Sequence, residues 1–311
     1  MISDSKKNYL IVIIGPTAIG KTSLSIALAQ YFNCNILSCD SRQFFNEITI
    51  GTAAPSTEEL NLVPHHFIQN KSIFENYTVG DFEKEAIIKL DELFIKNNIQ
   101  IMVGGSGLYV DAVLKGLDTF PKINYDIREK VRNDFDKKGL QYLVLELQKL
   151  DLHYYDFLKK NNPQTFQNPH RMMRFIEVCW SSGKPYSSFL NKEKITRNFT
   201  PIIIGLEANR EIMYNRINKR VDLMMEEGLL EEAKSLLEHK NLNALQTVGY
   251  KELFDFLDGK INLEFAIEEI KKNTRRFSKR QITWFKRTEN TFWFDYLTDK
   301  KAFITHIENL F

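Results

Sequence analysis

The chain has 311 residues, 43% of them apolar, with a formal net charge of +2 and three cysteines. That length suits one large domain or a core with an insertion, and the near-neutral charge means any nucleic-acid surface must come from local clustering. No apolar run approaches the roughly 18 residues of a membrane helix, residues 1–8 are polar and too short for a secretion signal, and Cys34, Cys39 and Cys179 form no C-x-x-C pair, which suits a reducing cytoplasm without structural zinc or disulfides.

The first predicted element is a strand, Leu10-Ile11-Val12-Ile13-Ile14, that ends in glycine. It runs into Gly15-Pro16-Thr17-Ala18-Ile19-Gly20-Lys21-Thr22, after which Leu24, Ala27 and Leu28 fall at helical spacing. This is G-x-x-x-x-G-K-T between a strand and a helix, the context that the motif requires. The glycines let backbone N–H groups converge at a helix N-terminus, Lys21 adds a charge, and the Thr22 hydroxyl is placed to ligate Mg²⁺. The pattern predicts a di- or triphosphate site, and the plain alternative is a glycine turn beside a surface lysine.

A second short strand, residues 35–39, leads to Asp40-Ser41-Arg42-Gln43. In an open parallel sheet this places Asp40 in the phosphate crevice, although an aspartate here also serves as a cap or turn residue. Residues 44–77 read as irregular, broken by Pro55 and Pro64. His65 and His66 lack partners at metal-ligand spacing. An amphipathic helix is predicted over 78–96, with Phe82, Ala86, Leu90 and Phe94 on one face. A third strand, 99–103, ends in Gly104-Gly105-Ser106-Gly107, a tight turn near the same crevice. Ser106 and Tyr109 are its candidate substrate contacts, unless the turn only serves packing.

From about 121 to 200 charged and aromatic helical segments replace the strand–helix alternation. Pro169 can start a helix that carries Arg171 and Arg174 on one face and Met172, Phe175, Ile176 and Cys179 on another. Residues 201–206 return to a buried strand, followed by a helix bearing Arg210, Arg216 and Arg220. The last third reads as helical. Within it, residues 270–287 hold eight cations and no carboxylate, with Ile270, Phe277 and Trp284 at seven-residue spacing expected to pack inward. A solvated face would explain the run, but its unrelieved charge favours a phosphate-backbone contact.

Taken together, these pieces resemble the tRNA dimethylallyltransferases, which prenylate adenosine 37 beside the anticodon. The resemblance runs almost end to end. It rests on the 15–22 motif, Asp40-Ser41-Arg42-Gln43, Ile50-Gly51-Thr52-Ala53 and Val103-Gly104-Gly105-Ser106-Gly107-Leu108-Tyr109. It continues in Asn168-Pro169-His170-Arg171, Ser182-Gly183-Lys184, Val248-Gly249-Tyr250-Lys251 and Arg276-Phe277-Ser278-Lys279-Arg280-Gln281-Ile282-Thr283-Trp284-Phe285. Two positions depart from the family pattern. Ser106 replaces the usual threonine, and Ala54 a common lysine. The cysteines do not supply the zinc finger of eukaryotic members.

The resemblance implies an α/β fold: a P-loop core with a parallel sheet over 1–121 and 201–311, and a helical tRNA-binding insertion over 122–200. It implies transfer of a dimethylallyl group from dimethylallyl diphosphate to N6 of the adenosine, in the cytoplasm, by an expected monomer using Mg²⁺. Asp40 would be the general base. Gly15, Pro16, Thr17, Ala18, Ile19, Gly20, Lys21, Thr22 and Arg220 would hold the diphosphate, with Thr22 on the metal. The anticodon stem-loop would meet Asp40, Ser41, Arg42, Gln43, Ser106, Arg128, His170, Arg171, Met172, Met173, Arg174, Gly249, Tyr250, Lys251, Arg276, Lys279 and Arg280. The competing reading is a nucleotide or metabolite kinase using ATP on the same core, though such kinases usually carry a short lid instead of a long helical insertion. A non-catalytic NTPase switch would need switch loops and a water-positioning residue that are not identifiable here.

Overall fold

The computed structural model describes residues 7–190 and 195–311, so residues 1–6 of the polar stretch 1–8, and residues 191–194 within the expected 122–200 insertion, lie outside the described residues. The elements run β1 (Tyr9–Ile14), α1 (Lys21–Phe32), β2 (Ile36–Ser38), α2 (Thr57–Leu62), β3 (His65–His66), α3 (Val79–Lys96), β4 (Ile99–Gly104) and α4 (Gly107–Lys115). They continue with α5 (Tyr125–Leu150), α6 (Leu152–Asn161) and α7 (Pro169–Ser182), then β5 (Thr200–Glu207), α8 (Arg210–Glu226), α9 (Leu229–Ser235), α10 (Tyr250–Leu257), α11 (Leu263–Phe285), β6 (Thr291–Asp295) and α12 (Lys300–Glu308). Two compact units result. One combines Met1–Lys115 with Thr196–Phe311, and the other is Gly116–Ile195.

In the first unit six strands form one parallel sheet, ordered β3-β2-β4-β1-β5-β6. β1 is buried along its whole length because helices cover both faces, which is why its sequence is continuous rather than alternating. Register then builds the crevice. Ile14 pairs with Gly104 and Ser38 with Val103, so β1, β4 and β2 end at one level. Their following loops, at Gly15, Gly105 and Asp40, emerge together beyond the carboxyl edge, where ligands bind in such sheets. The predicted face of α3 is buried at Phe82, Ala86, Leu90 and Phe94, and Thr78 and Asp81 form a capping box at its start.

The second unit is helical. α5, interrupted at Gly139, α6 and α7 close over Val131, Leu143, Leu147, Leu158, Met172, Phe175 and Ile176. Pro169 begins α7, and Asn168 caps it by accepting the Arg171 N–H.

Several expectations change. Residues 44–77 are not wholly irregular: Ser56 and Glu59 make a reciprocal capping box for α2, and His65–His66 is an edge strand beside β2. The C-terminal third is not wholly helical, since β6 pairs with β5. On α11 the inward face is Ile270, Ser278, Gln281 and Phe285. Phe277 and Trp284 stay 38% and 36% exposed, and the Trp284 indole donates to Asp111 Oδ2 at 2.8 Å. Among the described residues no helix is long and apolar enough to cross a membrane.

Candidate active site

The loop after β1 is shaped by its own backbone. Gly20, at φ 109°, turns left-handed just before α1, a conformation that a side chain would strain. Lys21 folds back over the loop, its Nζ donating to the carbonyls of Gly15 (3.0 Å) and Pro16 (2.8 Å). Burial is the main cause that lowers its pKa to about 8, the Arg220 charge adds to this, and the Asp40 carboxylate opposes it. Two arginines a helical turn apart on α8 complete the ring. Arg216 Nε donates to the Ala18 carbonyl at 2.7 Å, and Arg220 Nη1 reaches Thr17 Oγ1 at 3.4 Å. Burial and Arg216 both bear against the charge on Arg220, and Asp40 relieves it.

Gln281 of α11 is a part of the site that spacing did not single out. Buried at 5% exposure, it accepts the Thr17 N–H at 2.9 Å and donates to the Gly105 carbonyl at 2.9 Å. A Cβ on Gly105 would stand 2.3 Å from its Nε2, so a side chain there would displace the Gln281 amide. One amide thus ties the loop after β1 to the loop after β4. The Thr17 N–H is spent on this tie, which leaves the amides after it and Lys21 as the anion-facing groups.

Asp40 Oδ1 accepts the Arg42 N–H at 3.0 Å, so the residue does shape its turn. The Ser41 N–H donates to Ser106 Oγ, whose hydroxyl donates to Ser41 Oγ, both at 3.0 Å. Arg42 Nη1 reaches the Asn243 carbonyl. The Gln43 amide is committed within the protein, to Ser38 Oγ and the carbonyls of Thr52 and Ala53, so it props a loop instead of presenting itself to a ligand.

Two clefts meet here. One, of about 760 Å³, is lined by the 17–22 loop, Asp40 and Gln43. The other, of about 410 Å³, is lined by Asp40, Ser41, Arg42, Ser106, Lys251 and Arg280, with Gly249 at its edge. Thr17, Asp40, Thr52, Ala53, Arg220, Met224 and Phe277 belong to both. Tyr250, expected to face RNA, is fully buried, and its hydroxyl donates to Glu232 Oε1 at 2.5 Å. Glu232 also accepts the N–H groups of Thr49, Ile50 and Gly51, each at 2.9 Å, so the pair anchors the loop that walls both clefts. Glu232 had no motif to announce it.

The basic run on α11 is less bare than its sequence. Lys271 pairs with Asp222 and Glu268, Lys272 with Glu269, and Lys286 with Glu207. Arg276, Lys279 and Arg280 remain exposed. In the second unit Arg128, His170 and Arg171 are exposed, and Arg128 and Arg174 approach Glu177 at 3.8 and 3.9 Å. Burial raises the Glu177 pKa and the two arginines oppose that rise. Met173 is partly buried. Met172, expected at the RNA surface, is at 0% exposure in this unit's core.

Two outcomes follow from this geometry. Gln281→Met, of similar size but without polar atoms, leaves the Thr17 N–H and the Gly105 carbonyl without their partner. It is expected to cost about 1–3 kcal/mol in denaturant unfolding. Lys21 is charged below its pKa of about 8 and neutral above it, so affinity for inorganic diphosphate should fall about tenfold between roughly pH 7 and pH 9. Calorimetric titration checks this, and Lys21→Arg should remove the step.

Comparison with known proteins gives a consistent result. The family described as IPP transferase matches residues 43–288. A tRNA dimethylallyltransferase of Flavobacterium psychrophilum is 73% identical over 297 residues, covering 96% of this chain and 97% of that protein. The crystal structure of the full-length tRNA isopentenylpyrophosphate transferase from Bacillus halodurans aligns with a TM-score of 0.70 at 36% identity, covering 98% of this chain and 95% of that one. A eukaryotic dimethylallyltransferase described as acting on tRNA aligns with a TM-score of 0.78 at 29% identity, over 98% of this chain and 77% of its own. The chain belongs to the tRNA dimethylallyltransferase family.

Proposed function

We propose that this chain transfers a dimethylallyl group from dimethylallyl diphosphate to N6 of adenosine 37 in the tRNA anticodon stem-loop, releasing diphosphate. The observation that carries the reading is the meeting of the two clefts at Asp40, one lined by the phosphate loop and the other by paired hydroxyls and cations. A kinase on this core is not favoured, because the relatives carry the transferase name.

The chemistry follows from charge. The C1–O bond of the donor breaks while the C1–N6 bond forms, so negative charge builds on the diphosphate and positive charge on the amine. The loop amides, Lys21 and Arg220 stabilise the leaving group, with Lys21 exchanging the Gly15 and Pro16 carbonyls for phosphate oxygens. Asp40 keeps Oδ1 on the Arg42 N–H, and its other oxygen takes the N6 proton. The adenine must leave the anticodon-loop stack to reach this crevice, and Ser41 and Ser106 present hydroxyls to its edge.

The residues also suit a hard cation. The Thr22 hydroxyl and the Asp40 carboxylate line one cleft. No group of three or more His, Cys, Asp or Glu that could hold a metal occurs among the described residues, so a Mg²⁺ here would take most ligands from diphosphate and water. Bound through Thr22, it would neutralise charge on the leaving group.

Arg276, Lys279 and Arg280 of the first unit supply cations for the stem-loop backbone, and the helical unit offers its own in Arg128, His170, Arg171 and Arg174. Three free, buried thiols, Cys34, Cys39 and Cys179, suit the cytoplasm.

The direct test is incubation with an anticodon stem-loop and either labelled dimethylallyl diphosphate or ATP. Prenylated RNA is expected from the first and no labelled product from the second. Label transferred from ATP instead would overturn the reading. Asp40→Asn keeps an acceptor for the Arg42 N–H, so the turn should survive while the base is lost. Its single-turnover rate should fall roughly a hundredfold or more, with donor and stem-loop dissociation constants moving far less. A stable variant with near-parent rate would remove Asp40 from the role of base.

A further inference from the structure

Phe277 is misplaced for a core residue. It shares a seven-residue spacing with Ile270, which is 2% exposed, yet remains 38% exposed and lines both clefts. Met224, from α8, also lines both. The other side chains common to the two clefts are Thr17, Asp40, Thr52, Ala53 and Arg220, which are polar, charged or small. The junction therefore offers one apolar seat, made by a thioether and a phenyl ring. The Arg280 guanidinium stands 5.6 Å from the centroid of that ring, against its face.

We propose that Met224 and Phe277 seat the hydrocarbon tail of the donor and limit its length to five carbons. This rests on the prenyl-transfer reading above. A donor anchored by its diphosphate at the 17–22 loop must bring C1 to Asp40, so its carbon chain lies at the junction. Hydrocarbon there gains from contact with Met224 and Phe277 and loses water from both clefts. A purine needs hydrogen-bonding groups at its edge, which the smaller cleft supplies in Ser41, Ser106, Gln246 and Thr247. A ten-carbon donor has one more isoprene unit to place at the junction, where the Phe277 ring and the Met224 thioether line both clefts and would meet it. Truncating the ring removes a group of about the size of that unit. Met224 bounds the same space from α8.

The test compares dimethylallyl and geranyl diphosphate as donors to an anticodon stem-loop, by kcat/KM, in the parent, Phe277→Ala and Met224→Ala. The geranyl-to-dimethylallyl ratio should rise roughly tenfold or more in Phe277→Ala, the scale of discrimination between apolar groups in a pocket, and move the same way in Met224→Ala. Phe277→Trp should lower use of dimethylallyl diphosphate itself. Phe277 is already partly exposed, so its truncation should leave Tm close to the parent value, and Met224→Ala gives an independent reading. A ratio unchanged in both alanine variants, with the parent active, would overturn the proposal. So would stem-loop affinity lost in Phe277→Ala with the ratio unchanged, because the ring would then serve the base. A parent with no transfer from dimethylallyl diphosphate would overturn the functional reading and the tail seat together.

Discussion

A buried side-chain amide holds the glycine loops of this crevice in register. Gln281 spends both its polar ends, one on the Thr17 N–H and one on the Gly105 carbonyl, and a Cβ at 105 would push against it. The bond to the Gly105 carbonyl is buried and the one from the Thr17 N–H partly so, and losing the amide would leave both backbone groups without their protein partner. The sheet brings three loops to one edge, but register alone does not fix their separation. The amide does, and it comes from the same helix that carries Arg276, Lys279 and Arg280.

Charge is the second constraint. Lys21, Arg216 and Arg220 crowd one loop, and Asp40 is the carboxylate that relieves both Lys21 and Arg220. Such a concentration of cations favours a polyanion; burial first, and the Arg220 charge second, loosen the Lys21 proton, while its ammonium donates to the Gly15 and Pro16 carbonyls. The position that makes Asp40 useful as a base also makes it part of this balance. Substitution by asparagine therefore tests two roles at once, and the separation of rate from affinity is what distinguishes them.

Much of this was legible in the sequence, for physical reasons that differ by element. The phosphate loop was readable because glycine, lysine and threonine need fixed spacing around an anion, and β1 because both its faces are buried. The α3 face was readable from its 3.6-residue period. β3 and β6 were not, being short edge strands at which burial, and so pattern, is weak. The seven-residue pattern on α11 misled because its inner face meets polar loops: Ser278 and Gln281 go inward, while Phe277 turns to the clefts and Trp284 lies over Gly107. Tyr250 and Met172 sat inside stretches that resemble the family's RNA-facing motifs, and burial removed them from the surface. Ser56 and Glu59 did carry a readable capping signal. Glu232 carried none, since its partners lie about 180 residues away.

The central claim is that the donor's diphosphate and the target adenine occupy different clefts, which meet at a junction shared by Thr17, Asp40, Thr52, Ala53, Arg220, Met224 and Phe277. Titration of inorganic diphosphate into protein already saturated with an anticodon stem-loop tests it most directly. The account predicts a ternary complex, with diphosphate binding at a dissociation constant within a fewfold of that for the free protein. Displacement of the stem-loop by diphosphate, with mutually exclusive binding, would contradict it.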